Sequence, residues 1–222
     1  MMTNLFSTFD PATSIKLSMN WSSSLLCTLL IPMSYWKMNN RIMVMYKNMK
    51  NTLHNEFKML MGSQMKGMTM MMTSLFMMIL INNLMGLLPY IFTSSSHLAF
   101  SLTLALPMWV SLMMFGWLNK TNSMFAHLIP VGTPPALMPF MVLIETTSNI
   151  IRPGSLAVRL MANMIAGHLL MSLLGNNLMS SNLMMPVIIM IQASLMMFET
   201  AVSVIQAYVF SVLSTLYSSE IK

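Results

Sequence analysis

The sequence predicts an all-α polytopic membrane protein with about five membrane helices plus a surface amphipathic helix, the last two membrane helices forming a long tilted antiparallel hairpin. Three observations carry that prediction. Hydrophobic residues make up 56% of the chain and charged residues only 7%, where a soluble domain carries about a quarter. The few charges cluster, leaving apolar runs long enough to cross a bilayer. The charges that do fall inside apolar runs recur at helical spacing. At a mean hydropathy of +0.69, lipid must solvate much of the surface. The length of 222 residues suits one membrane domain over 1–222 rather than two soluble ones.

The elements follow from the charge punctuation. No charge occurs from Leu17 to Trp36, about 20 residues, enough to span a bilayer core of ~30 Å; 17–36 is the expected first span. Residues 37–66 carry Lys37, Arg41, Lys47, Lys50, Lys58 and Lys66, relieved only by Glu56, around Met43, Val44, Leu53, Phe57 and Leu60. That is an amphipathic stretch lying on the membrane surface. The positive-inside rule puts it on the cytoplasmic or matrix side and the N-terminus opposite. Most of the net charge of +6 sits there, without the aromatic–basic alternation of a nucleic-acid binder, so no nucleic-acid partner is expected.

Residues 67–118 contain no Lys, Arg, Asp or Glu and are too long for one span. Pro89 and the run Thr93-Ser94-Ser95-Ser96-His97 divide them into a tight two-span hairpin, about 67–91 and 97–118. Asn119, Asn122, Gly132, Thr133, Pro134 and Pro135 mark 119–135 as a loop or surface segment. Residues 136–217 form the long hairpin. Both arms, 136–175 and 183–217, exceed a perpendicular span, so they must tilt, bend or protrude. Pro153-Gly154 is the expected bend, and Gly175-Asn176-Asn177 the expected helix end.

Single residues exclude other classes. The lone Cys27 permits no internal disulfide framework and has no metal-ligand spacing, so it reads as a small buried hydrophobe. No secretory or transit peptide is evident, since Asp10 and Lys16 are the only charges before Lys37. The 33 Met residues are flexible apolar fillers, and such enrichment is what a mitochondrial code with an extra Met codon produces.

The long hairpin carries the informative polar residues. A charge at bilayer depth costs about 2.5–3.5 kcal/mol on insertion scales. Arg152, beside the Pro-Gly pair, reads as a snorkelling side chain; Arg159 and Glu199 lie too deep for that. Gln192, Glu199 and Gln206 are seven apart and make one stripe. Glu145, Arg152 and Arg159 are also seven apart, with Asn149 and Asn163 near the same face. His168 points about 180° from Arg159. Folding the arms antiparallel sets His168 beside Glu199, Arg159 beside Gln206, and Glu145 towards the opposite membrane face. His and a Glu removed from water can take up and lose protons near physiological pH. Arg stays charged, so it divides a proton path rather than relaying along it. Something mobile must carry the proton past it.

The segment Arg159-Leu160-Met161-Ala162-Asn163-Met164-Ile165-Ala166-Gly167-His168 resembles the signature helix of subunit a of F-type ATP synthases, in its mitochondrial form. Ser101-Leu102-Thr103-Leu104-Ala105-Leu106-Pro107-Met108-Trp109 and Ile205-Gln206-Ala207-Tyr208-Val209-Phe210 are similar to the same family, and the resemblance covers essentially the whole chain. It implies a static, non-catalytic subunit in the mitochondrial inner membrane, beside a rotating ring of c subunits and other membrane and peripheral-stalk subunits. Two half-channels would bring protons to the ring carboxylates from opposite sides. The family's essential arginine maps to Arg159, with His168 and Glu199 on the intermembrane-space side, Glu145 on the matrix side, and Asn163 and Gln206 next to the arginine. No cofactor or metal is implied, and the chain has no phosphate-binding loop.

Two other classes compete. A proton-handling subunit of a respiratory complex, one coupled to quinone chemistry for instance, would share the composition. Haem or copper ligation needs facing His pairs, and His54, His97 and His127 lie at ends or in loops. A self-contained transporter would often show repeated halves, whereas here the polar helices are both in the C-terminal half.

Overall fold

A computed structural model describes residues 4–14, 17–32, 36, 38, 40–62, 67–129, 132–180 and 184–220. Among them the chain forms seven α-helices: α1 (Ser23–Leu30), α2 (Arg41–Met61), α3 (Met68–Gly86), α4 (Leu98–Asn119), α5 (Thr121–His127), α6 (Met138–Ser180) and α7 (Met185–Glu220). Four of these, α3, α4, α6 and α7, are long and apolar enough to cross a membrane. The architecture is the expected all-α, polytopic one.

The first expected span differs. Segment 17–36 holds a 3-10 turn at Met19–Ser22 and the eight-residue α1, which stops before Pro32, a residue that cannot donate to a continuing helix. Residues 33–35 of that span lie outside the described residues, as do Lys37 and 63–66 of the basic segment. Residue 39 also lies outside the described residues, and over Arg41–Met61 the basic segment is one amphipathic helix. Leu53, Phe57 and Met61 of α2, spaced four apart, are buried, while Arg41, Lys47 and Lys58 remain exposed. The buried stripe docks on α3 and α7.

The two spans of 67–118 do not pair into a tight hairpin. Instead α3 packs on α7 and α4 on α6. The connection has its own structure. It turns at Tyr90, which follows Pro89 in a left-handed conformation (φ 69°), and then buries Thr93, Ser94, Ser95 and Ser96. Thr93 and Ser96 satisfy one another, their hydroxyls 3.0 Å apart, and Ser96 Oγ donates to the Thr93 carbonyl at 2.7 Å. This polar turn touches α3, α4 and α6, and so spaces the two helices apart. The segment 119–135, expected as a loop, contains α5 and a 3-10 turn at Pro135–Leu137.

Helices α6 and α7 form the long antiparallel hairpin. At about 1.5 Å per residue, their 43 and 36 residues reach roughly 64 and 54 Å, near twice the hydrocarbon thickness of ~30 Å. Helix α6 runs through Pro153 and through Gly175-Asn176-Asn177 to Ser180; the expected stop is overridden, and the turn falls later. The core joins Phe57 and Met61 of α2, Met72, Phe76 and Ile79 of α3, Ala105 and Met108 of α4, Leu156, Ala157 and Leu160 of α6, and Ala207 and Phe210 of α7. Burial is uneven: 44% of the most apolar stretch of α3 is enclosed, against 11% in α7. Helix α3 is the packed centre, whereas the most apolar stretch of α7 is left mostly uncovered.

Candidate functional site

The seam between α6 and α7 gathers the polar residues. From α7, Glu199, Ser203, Gln206, Ser211 and Ser214 are buried. They occupy the face turned to the other helices, while Met197, Phe198, Val204, Ile205 and Tyr208 of the same helix are exposed. Hydroxyls suit such a face: each Ser back-bonds to a carbonyl of its own helix, Ser203 to Thr200 and Ser211 to Tyr208, and stays satisfied without a partner helix. Across the seam, Asn163 Nδ2 donates to Gln206 Oε1 at 3.0 Å. Behind it, Asn83 of α3 donates to the Ser203 carbonyl at 3.5 Å.

Glu199 meets Gly167, next to His168, at the expected level of the hairpin, while Gln206 bonds Asn163, one turn along α6 from Arg159. His168 and Glu199 do come together. Both line a cavity of about 300 Å³ that also includes Asn163 and Gly167. The Glu199 carboxyl presses on Gly167 so closely that a Cβ there would stand 2.7 Å from it. A side chain there would displace the Glu199 carboxyl. Both Glu199 carboxyl oxygens and His168 Nε2 are buried without a hydrogen-bond partner in the described residues. Uncompensated polar atoms in a dry interior cost about 1–3 kcal/mol each, so this cavity is a place for water or a proton donor.

A second cavity, of about 640 Å³, lies on the other side of His168. It is lined by His168, Ser172, Thr93, Asn20, Asp10 and neighbouring residues of the N-terminal segment. His168 is thus the wall between two spaces. A third cavity, of about 500 Å³, sits at the opposite end of the hairpin around Glu145, Asn149, Arg152, Tyr217 and Glu220, with Trp109 and Trp117 of α4. Here Arg152 differs from the snorkelling side chain expected of it. It lies 3.6 Å from Glu145, donates to Glu220, and stacks 5.0 Å over the Tyr217 ring. Glu220 escaped the sequence reading, yet the seven-residue series Gln192, Glu199, Gln206 extends through 213 to 220 and would have found it. Gln192, at the other end of that series, is half-buried.

Arg159 stands apart. It lies near the middle of the 43-residue α6, about 21 Å along the helix from Glu145 and about 14 Å from His168. It lines none of these three cavities. Its side chain is exposed on the outside of the helical body, and among the described residues it has no hydrogen bond or ion pair. The geometry therefore has three levels: one cavity with ionisable groups at each end, and a bare guanidinium between them facing outwards.

Architecture and site together define a class: a multi-pass helical membrane protein with ionisable cavities set into opposite ends of one helix pair. The comparisons with known proteins agree on the family. The ATP synthase A chain description matches residues 17–219. The chain is 60% identical to ATP synthase subunit a of Anopheles gambiae, 59% to that of Locusta migratoria and 58% to that of Drosophila melanogaster, each over the full length of both chains. The chain belongs to the ATP synthase A chain family.

Proposed function

We propose that this chain is the proton-translocating stator subunit of an F-type ATP synthase membrane sector, providing two offset half-channels to a rotating c-ring with Arg159 as the essential divider between them. Arg159 carries this reading. A guanidinium exposed at mid-helix in a chain of this composition would face lipid, which is costly; a carboxylate presented by a neighbouring subunit removes that cost. A ring of such carboxylates, each released as the next arrives, fits an arginine that the fold leaves exposed. The cavity of His168 and Glu199 then serves proton uptake from the intermembrane space. The cavity of Glu145 serves exit to the matrix, and Asn163 with Gln206 holds the polar seam next to the arginine. The two cavities are offset along the hairpin, so a proton crosses only by riding the ring. ATP chemistry is left to other subunits, and this chain is not itself catalytic. The location is the mitochondrial inner membrane, in keeping with the Met-rich composition and the insect relatives.

Co-purification tests the assignment. The chain is expected to isolate with a c-ring and the peripheral stalk; isolation with a redox complex and no c subunit would sink it. Two milder variants probe the site. Gly167→Ala puts a methyl against the Glu199 carboxyl, and overpacking of this kind costs about 1–3 kcal/mol. It is expected to slow ATP synthesis roughly tenfold in a complex that still assembles, as measured in reconstituted vesicles. Arg152→Gln removes a partly exposed ion-pair group and its contact with Tyr217. The assembled membrane sector is expected to lose on the order of 1 kcal/mol of stability, read as a lowered midpoint of thermal dissociation.

A further inference from the structure

The N-terminal segment folds along the cavity that reaches His168. Its 3-10 turn at Leu5–Phe9 contacts α6, and the Phe9 ring meets the His168 ring edge-on, centroids 6.2 Å apart. The next residue, Asp10, lines the same cavity as His168. Its backbone is tied down: Asp10 Oδ1 accepts from the Ala12 amide at 3.0 Å, and its carbonyl accepts from Asn20 Nδ2 at 3.2 Å. One carboxylate oxygen is thereby used in the turn, and the residue remains exposed. The groups that can hold a proton around this space are Asp10, the exposed Tyr90 phenol after α3, and His168 on α6. Lys16 lies outside the described residues. Asp10 is the one carboxylate of the set.

We propose that Asp10 is the proton-collecting group of the uptake path, a carboxylate at the cavity mouth that takes protons from outside buffer and delivers them through water in the cavity to His168. This rests on the proposed function. A volume of about 640 Å³ holds many waters at ~30 Å³ each, so a hydrogen-bonded route needs no movement of the backbone. The transfer balances simply. The carboxylate accepts a proton from hydronium or a buffer acid, passes it into the water chain, and returns to the anion, while the His168 imidazole in the wall of the same cavity accepts at the far end. A fixed negative charge at a funnel mouth also raises the local cation concentration, and such focusing raises association rates by about tenfold or more.

The test uses the whole synthase in vesicles, making ATP under an imposed potential, with the buffer concentration varied only on the His168 side. Asp10→Asn keeps the acceptor for the Ala12 amide and removes the titrating group; Asp10→Ser does the same with a different side chain. At low buffer both are expected to synthesise ATP on the order of tenfold more slowly than the unmodified enzyme. High imidazole on that side is expected to restore them, because a mobile buffer then delivers protons directly to His168, and Asp10→Glu is expected to match the original at every concentration. Unchanged rates at low buffer overturn the proposal, as does a slow rate that buffer does not restore, which would make Asp10 a folding residue only. Glu199→Gln in parallel separates the failures: if it too leaves the rate unchanged, the proton-path reading falls, and if it alone slows synthesis, only the role of Asp10 falls.

Discussion

Replacing Arg159 with Ala is expected to abolish proton-driven ATP synthesis in the assembled complex, and ATP-driven pumping with it, while permitting passive proton leak. Two losses combine. The ring carboxylate loses the fixed cation that draws it into its charged form; removing one such charge-stabilising group costs on the order of 10²–10³ in rate elsewhere. The barrier between the two cavities also goes, so protons delivered to the seam pass without turning the ring. Arg159→Lys keeps the charge but loses the planar, pre-organised fork, and is expected to stay well below the original rate. Acid-driven ATP synthesis and passive proton conduction, measured on the same vesicles, separate the two effects. Normal ATP-driven pumping by Arg159→Ala would refute the role given to Arg159.

Replacing Glu199 with Gln is expected to be the next most damaging change, slowing proton uptake on the order of 10²-fold without dismantling the complex. The side chain is buried against Gly167 with both carboxyl oxygens unpartnered, and Gln fills the same volume. Packing is kept and only proton exchange is lost. The effect should appear in both synthesis and pumping, with the complex intact by native electrophoresis. Unchanged flux would count against the placement of Glu199 on the path. Gly167→Ala should fall between Glu199→Gln and the unmodified enzyme, because it displaces the carboxyl rather than removing it.

Much of this was legible before any coordinates. The spacing of Gln192, Glu199 and Gln206 predicted the polar face of α7, and the opposition of Arg159 to His168 predicted that one faces out while the other lines the cavities. What failed was long-range. The expected helix end at Gly175-Asn176-Asn177, a local stop signal, is overridden by a helix continuing to Ser180, and Gln206 bonds Asn163 rather than Arg159. The expected pairing of α3 with α4 failed for a related reason. Both are apolar nearly all round, so the pattern says that they are embedded but not which neighbour each prefers. The contact of Phe9 with His168 spans most of the chain and comes from a 3-10 turn with no periodicity to read. Arg152 reads as a snorkelling side chain from the sequence because its partner Glu220 sits on the other arm of the hairpin. The outward aim of Arg159 is a property of the fold, whereas the carboxylate proposed to meet it belongs to another chain and leaves no trace in this one.

The central claim is that Arg159 faces outwards to meet a rotor carboxylate, and a density map of the assembled membrane sector tests it most directly. The account predicts a carboxylate of the c-ring within about 4–6 Å of the guanidinium, the range in which opposite charges favour ionisation. It also predicts that the cavities of His168–Glu199 and of Glu145 open to opposite sides of the membrane. A map with Arg159 paired inside the stator, or facing lipid with the ring against another helix, would contradict it.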